Sequence, residues 1–177
     1  MKIVSFNINS IRARPHQLEF IRDTIKPDII GLQETKVHDD EYPIDVINDI
    51  GYHSEYWGQK GHYGVALLSL NEPIEVVKGF KNDTDEDQKR FIQARFKYGN
   101  EEIIVMNGYF PQGENRSHET KFPKKVKYYS DLKKHIKNLQ KSDENLIVMG
   151  DFNVAPTDID IGIGEHNKKW WFKDGNC

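Results

Sequence analysis

Five short apolar runs, at residues 3–6, 29–32, 65–68, 103–106 and 146–149, set the terms on which this chain can fold. Each is four residues long, rich in Val, Ile or Leu, and flanked by polar residues or Gly, a pattern that favours strands over buried helix. The segment 91–98 alternates differently, with Ile92, Ala94, Phe96 and Tyr98 on one face and Gln93, Arg95 and Lys97 on the other. That spacing predicts a half-exposed strand. Two segments between the runs read as helices. After Pro15, which a first helical turn tolerates, Leu18, Ile21 and Ile25 share one stripe until Pro27 ends the pattern. Farther on, Val126, Tyr129, Leu132, Ile136 and Leu139 form an apolar face, and Lys125, Lys127, Lys133, Lys134, Lys137 and Lys141 read as its solvated opposite. Strands mixed with helices predict an α/β sandwich of mainly antiparallel strands.

With 177 residues, 37% of them apolar and 30% charged, the chain suits a single domain with a lean core. Its 25 Lys and Arg against 28 Asp and Glu leave a formal charge of −3, so no global positive field draws it to nucleic acid and any such site must be a local patch. The opening MKIVSFNI is too short for a secretory core or a membrane span, and the single Cys177 excludes an internal disulfide and a cysteine-based zinc site. The expectation is a soluble, cytoplasmic protein with no membrane partner. There is no internal repeat or linker, and only the acidic stretch 82–87 reads as a plain surface loop.

Four of the expected strands run into a polar residue able to touch a metal or a phosphate: Asn7, Glu34, Tyr109, and Asp151 with Asn153. If those ends converge, two carboxylates, a phenol and two amides meet without a Ser or Cys nucleophile beside a His. Such a set suits hard-metal chemistry on an anionic ester. Strand ends are also where polar residues begin in most proteins, so position alone does not settle their use.

More specific wording is present. The strings SFNINSIRAR, IIGLQETK, GQKGHYGVALLS, NGYFPQGENR and MGDFNVAPTDIDIG resemble, in order and spacing, the motifs of exonuclease III within the endonuclease/exonuclease/phosphatase superfamily. LQE and GDFN alone would name only the superfamily, which includes phosphoinositide phosphatases and sphingomyelinases; NGYFPQGE, QKGHYGVALL and PTDIDIGIG narrow the likeness to the bacterial exonuclease III branch. The resemblance implies a four-layer α/β sandwich, two mainly antiparallel sheets face to face with helices outside. It implies hydrolysis of phosphodiesters in double-stranded DNA, by incision at abasic sites and by removal of nucleotides from 3′ ends, with Mg2+ or Mn2+ in its place, by a monomer. It makes Glu34 the principal metal ligand, Asn7 a ligand or orienting amide, Asp151 the group that orients or deprotonates the attacking water, and Asn153 a holder of a phosphate oxygen or second metal. Tyr109 would present its phenol to the reacting phosphate. Arg90, Gln112 and Lys121 match positions along the DNA groove, whereas His62, in the Gly-rich QKGHYG turn, reads as a structural hydrogen-bonding residue.

A second metal-site Asp and a closing Ser-Asp-His motif, which the resemblance places in the last third of the family, have no counterpart here. After residue 149 few apolar residues follow until Trp170, Trp171 and Phe172. The expectation is therefore the amino-terminal two-thirds of one domain, residues 1–177, with the second sheet incomplete, an exposed apolar face, poor solubility and negligible activity alone. Two other readings stay open: a phosphatase or lipid phosphodiesterase of the same superfamily, and a non-catalytic fragment or piece of a split enzyme.

Overall fold

The computed structural model describes residues 1–140, 142 and 144–160; the aromatic cluster at 170–172 lies outside them. In chain order the elements are β1 (Ile3–Asn7), α1 (Pro15–Ile25), β2 (Ile29–Gln33), α2 (Ile44–Asp49), β3 (His53–Trp57), β4 (Val65–Ser69), β5 (Glu75–Lys78), β6 (Phe91–Tyr98), β7 (Glu101–Tyr109), α3 (Lys121–Gln140) and β8 (Asn145–Asp151). Pro15 opens α1, and Lys26 closes it in the left-handed conformation, its N–H returning to the Ile21 and Arg22 carbonyls.

The strands form two sheets, ordered β1-β2-β4-β3 and β5-β6-β7-β8. Pairings β1–β2 and β7–β8 are parallel and the other four antiparallel. The sheets lie face to face, β1 against β8, β2 against β7 and β8, and β4 against β6 and β7. Period-two alternation divides each strand's apolar residues between two layers. Ile30, Leu32, Ala66 and Leu68 turn outward onto Leu18 and Ile21 of α1. Ile29, Val65 and Leu67 turn inward against Ile92, Ala94, Phe96, Val105 and Met149. On the far side Phe91, Ile104 and Met106 pack under Tyr128 and Leu132 of α3. The result is the expected four-layer α/β sandwich.

Each sheet ends at an edge, β1 in one and β8 in the other, with no second neighbour among the described residues. On the edge strand β8, Leu146, Ile147 and Val148 are only half-buried. The inner faces of the two sheets cover one another, so a bare apolar face is not seen among the described residues.

Two expectations about side-chain environment need correction. Strand β6 is not half-exposed at its centre: α3 lies over its second face, and Gln93 is 4% exposed beneath His135. Lys125 does not belong to the solvated stripe of α3. Its ammonium, half-buried, donates to the carbonyls of Gln112 and Asn153, and burial lowers its pKa.

The two sheets are joined by a dry polar latch. Asn107, fully buried on β7, donates from Nδ2 to the Leu32 carbonyl of β2 (2.8 Å) and the Ala66 carbonyl of β4 (2.9 Å). Its Oδ1 accepts from Gln33 Nε2 at 2.6 Å. Gly31 lies at the same close approach, where a Cβ would stand 2.4 Å from the Met149 methyl carbon. Asn107→Ala removes both inter-sheet donors and the acceptor of Gln33, which keeps its bonds to Ser5 and Gly31, and we expect a loss of roughly 1–3 kcal/mol, read as a lowered urea midpoint.

His135 gives a pH signature. Its ring lies edge-on to Phe80 and Phe91 and its Nε2–H donates to Gln93 Oε1 at 2.6 Å. Burial lowers its pKa, so the folded state binds this proton less readily than the unfolded chain does. The stabilisation is complete above the unfolded value of about 6.5 and is lost as pH falls through the lower folded value. Stability of the parent protein should drop more steeply from pH 7.5 to 5 than that of His135→Gln, in paired denaturant titrations.

Candidate active site

Parallel pairing brings the carboxyl ends of β1 and β2 together, with Asn7 opposite Gln33, and likewise β7 and β8, with Tyr109 opposite Asp151. Because β1 stacks on β8, all four ends meet at one edge of the sandwich. There the Asn7 amide bridges the two remote carboxylates. Its Nδ2 donates to Glu34 Oε1 at 2.9 Å and to Asp151 Oδ2 at 3.0 Å. Two carboxylates bonded to one amide nitrogen lie side by side, so the Glu34 and GDFN motifs meet at one place.

Glu34 gets its aim from the backbone. Glu34 and Lys36 both adopt positive φ, 56° each, a conformation that costs a non-glycine residue energy and persists where the surroundings dictate it. Hydrogen bonds enforce it from two sides. Ile8, Ser10 and Ile11 donate to the carbonyls of Gln33, Glu34 and Thr35, while the N–H groups of Thr35 and Lys36 donate to the Gly64 and Tyr63 carbonyls. The GHYG turn thus braces the QETK turn. Gly64 itself must lack a side chain, because a Cβ there would stand 2.1 Å from Thr35 Oγ1.

The charges respond to this crowding. Burial pushes the Glu34 carboxyl up, but hydrogen bonds from Asn7, Lys36 and Tyr109 and the Lys36 charge outweigh it and hold the group below the usual carboxylate range. Lys36 Nζ sits 2.8 Å from Glu34 Oε2. Tyr109 moves the other way: burial, then its hydrogen bond to Glu34, pushes the phenol up to about 12. At neutral pH it is a donor and not a base.

Arg90 brackets Tyr109. Its guanidinium lies between the Tyr63 and Tyr109 rings, 4.5 and 4.6 Å from their centroids, and donates to the Tyr109 carbonyl at 3.0 Å and to Gln88 Oε1 at 2.7 Å. Its own carbonyl accepts from Tyr109 N–H and the Tyr128 hydroxyl. Asp151 is held on its other oxygen, where Oδ1 accepts Asn153 N–H at 3.1 Å. Asn153 has φ 49° and donates from Nδ2 to the Phe110 carbonyl at 2.8 Å. Phe152 stacks on Phe110 at 4.4 Å, and Lys125 ties the loop to α3.

Of the residues singled out in the sequence, Asn7, Glu34, Tyr109 and Asp151 form one cluster with Asn153 directly behind it. Arg90, Gln112 and Lys121 line a neighbouring open cavity of about 410 Å³ that also includes Tyr109, Lys124 and His62. Arg90 is committed to the two rings, and Lys121 pairs with Glu114 at 2.9 Å. His62 is exposed at the rim, edge-on to Tyr63. Sequence reasoning missed Lys36, Asn9, Asn107 and Lys125. Lys36 stood two places beyond Glu34 and could have been weighed as its counter-ion; the others show only in three dimensions.

The donor set fits a hard cation. Glu34 and Asp151 offer carboxylate oxygens, with no Cys or His in the cluster among the described residues, as suits an ion that keeps several waters. Asn7 faces the carboxylates with nitrogen, while its Oδ1 accepts Asn9 N–H at 3.1 Å, so in this conformation it orients the carboxylates and does not present its oxygen.

Comparison with known proteins gives the same grouping. A model of the Endonuclease/Exonuclease/phosphatase family matches residues 4–176. The chain is 50% identical over its full length to an exodeoxyribonuclease III of Haemophilus influenzae, covering 66% of that protein. It is 29% identical over 95% of its length to an exodeoxyribonuclease of Bacillus subtilis, covering 64% of it. Among solved structures, an AP endonuclease from Archaeoglobus fulgidus superimposes with TM-score 0.84 at 34% identity, over the whole of this chain and 65% of that one. A 3′ phosphatase from Neisseria bound to a product DNA hairpin gives TM-score 0.83 at 29% identity, over 98% of this chain and 69% of that one. The chain thus spans about two-thirds of the length of these relatives. Motifs, layer order and matched length agree, and the chain belongs to the endonuclease/exonuclease/phosphatase family.

Proposed function

We propose that this chain carries the cation-binding side of a DNA repair phosphodiesterase, one that incises double-stranded DNA at abasic sites and trims it from 3′ ends. The observation that carries the reading is the Asn7 amide joined at once to Glu34 and Asp151. In this reading Glu34 and Asp151 hold Mg2+, or Mn2+ in its place. The bound cation supplies charge neutralisation at the phosphate and a more acidic water.

The chain's own residues supply the rest. Asp151, fixed on one oxygen by Asn7 and on the other by Asn153 N–H, is aimed to accept a proton from a water in the site. The Tyr109 phenol, protonated at neutral pH, can turn the hydrogen it gives to Glu34 toward charge growing on the phosphate oxygens. Arg90 keeps its ring in place, and Asn153, anchored on the Phe110 carbonyl, offers its remaining amide groups to the phosphate. Gln112 and Lys121 face the adjoining cavity, where they can position a DNA backbone without reading sequence. The similarity to two exodeoxyribonucleases, an AP endonuclease and a DNA-bound 3′ phosphatase supports DNA over inositol phosphates or lipids as the substrate.

A second reading is that the chain by itself binds cation and DNA without cleaving. It is favoured by the site's composition: no histidine stands in the cluster among the described residues, and the family likeness implies one.

Incubation with Mg2+ and a duplex carrying one abasic site, with an inositol polyphosphate as rival substrate, tests both. The first reading expects incision that EDTA abolishes and that Glu34→Gln or Asp151→Asn lowers by about 10²-fold or more. Turnover of the inositol phosphate in preference to DNA refutes it, and DNA binding without any cleavage selects the second. Where cleavage is measurable, Tyr109→Phe should lower kcat by about 10²-fold with little change in KM, as for a donor used in the transition state.

A further inference from the structure

The residues around Glu34 close a ring. Asn7 Nδ2 donates to Glu34 Oε1 at 2.9 Å, Lys36 Nζ reaches Glu34 Oε2 at 2.8 Å and Asn9 Oδ1 at 2.5 Å, and Asn9 N–H returns to Asn7 Oδ1 at 3.1 Å. Both oxygens of the carboxylate are therefore taken, one by a neutral amide and one by a full positive charge. Three of the four ring members are set by their turns: Asn9, Glu34 and Lys36 all have positive φ. The pair is not a loose surface contact, since the side chains of Lys36 and Glu34 are only 23% and 18% exposed. An ion pair with so little water around it is screened weakly.

A divalent ion that binds Glu34 meets that ammonium at first-neighbour distance. Two like-signed cations on one carboxylate repel, and the repulsion is larger here than in bulk water. Either the lysine leaves Oε2 or the ion binds against its field. Without Lys36, two carboxylates joined by the Asn7 amide would face each other with no positive charge between them, and the aim of Glu34 would rest on its hydrogen bonds from Asn7 and Tyr109.

We infer that Lys36 is a built-in rival of the divalent cation for Glu34: a positioning residue that holds the carboxylate in aim while the ion is away and weakens the ion's binding. The inference rests on the reading of Glu34 as a metal ligand. It assigns Lys36 no contact with substrate and no part in proton transfer.

The test is equilibrium binding of Mn2+ alone, by electron paramagnetic resonance of the free ion and by calorimetry, which needs no cleavage activity. Five proteins are compared over the full chain: the parent, Lys36→Gln, Lys36→Arg, Glu34→Gln and the double variant Lys36→Gln with Glu34→Gln. Lys36→Gln should bind Mn2+ on the order of tenfold tighter, since a unit charge has left the first neighbour shell. Lys36→Arg, which restores the charge, should lie within about twofold of the parent. Adding Glu34→Gln to Lys36→Gln should abolish the gain. Equal or weaker binding by Lys36→Gln, with Glu34→Gln still impaired, overturns the inference and leaves the metal site standing. Equal binding by Glu34→Gln and the parent overturns the metal site, and the inference with it. Should Lys36→Gln fold poorly, the comparison of Lys36→Met with Lys36→Arg decides on the same criterion.

Discussion

Two carbonyls in the dry space between the sheets, those of Leu32 and Ala66, govern much of what this molecule does. Leu32 and Ala66 face each other in the β2–β4 ladder, and Asn107 reaches across from the other sheet to donate to the remaining lone pair of each carbonyl. A single side chain with two fixed acceptors and one fixed donor, Gln33, permits little sliding of one sheet over the other. Asn107 precedes Tyr109 by two places, and strand periodicity puts both on the same face of β7. Leu32 likewise precedes Glu34 by two. The latch that sets the sheet offset therefore also sets the approach of the Tyr109 phenol to Glu34.

This coupling explains which parts of the fold could be read in the sequence. The five runs with dense aliphatic content became β1, β2, β4, β7 and β8, because strands buried on one or both faces must be apolar along their length. The strands that went unnoticed, HSEYW of β3 and EVVK of β5, are both sheet edges, where one side meets solvent and polar residues are tolerated. Helix α2, only six residues long, has too few turns for a periodic stripe. Lys125 was assigned to solvent by helical spacing, yet its long stem lets the ammonium reach two loop carbonyls. Spacing fixes where a side chain starts and says little about where a flexible one ends.

The candidate site was legible as a set of residue types at strand ends, and its family likeness named Glu34, Asp151 and Tyr109. The means of holding them was not. Positive φ at Glu34, Lys36 and Asn153 falls on residues with no glycine signal, and the braces that enforce it, such as Gly64 to Thr35, join segments remote in sequence. Arg90 shows the same limit. Its charge and place suggested a phosphate contact, whereas its guanidinium is spent between two rings and a carbonyl.

The charge layout then makes sense of a nuclease reading in a chain of net charge −3. Tyr109 stands at the border of two regions, the acidic cluster of Glu34 and Asp151 and the cavity that includes Arg90, Lys121 and Lys124. A polyanion entering the cavity meets favourable charge until it nears the cluster, where two carboxylates repel it. Lys36 and the Asn7 amide offset part of that repulsion, and a divalent ion bound there offsets the remainder. Ion and polyanion are then linked ligands: whatever free energy the ion contributes to DNA binding, DNA must return in ion affinity. In the proposed reading, the affinity that DNA returns to the ion offsets the weakening imposed by Lys36.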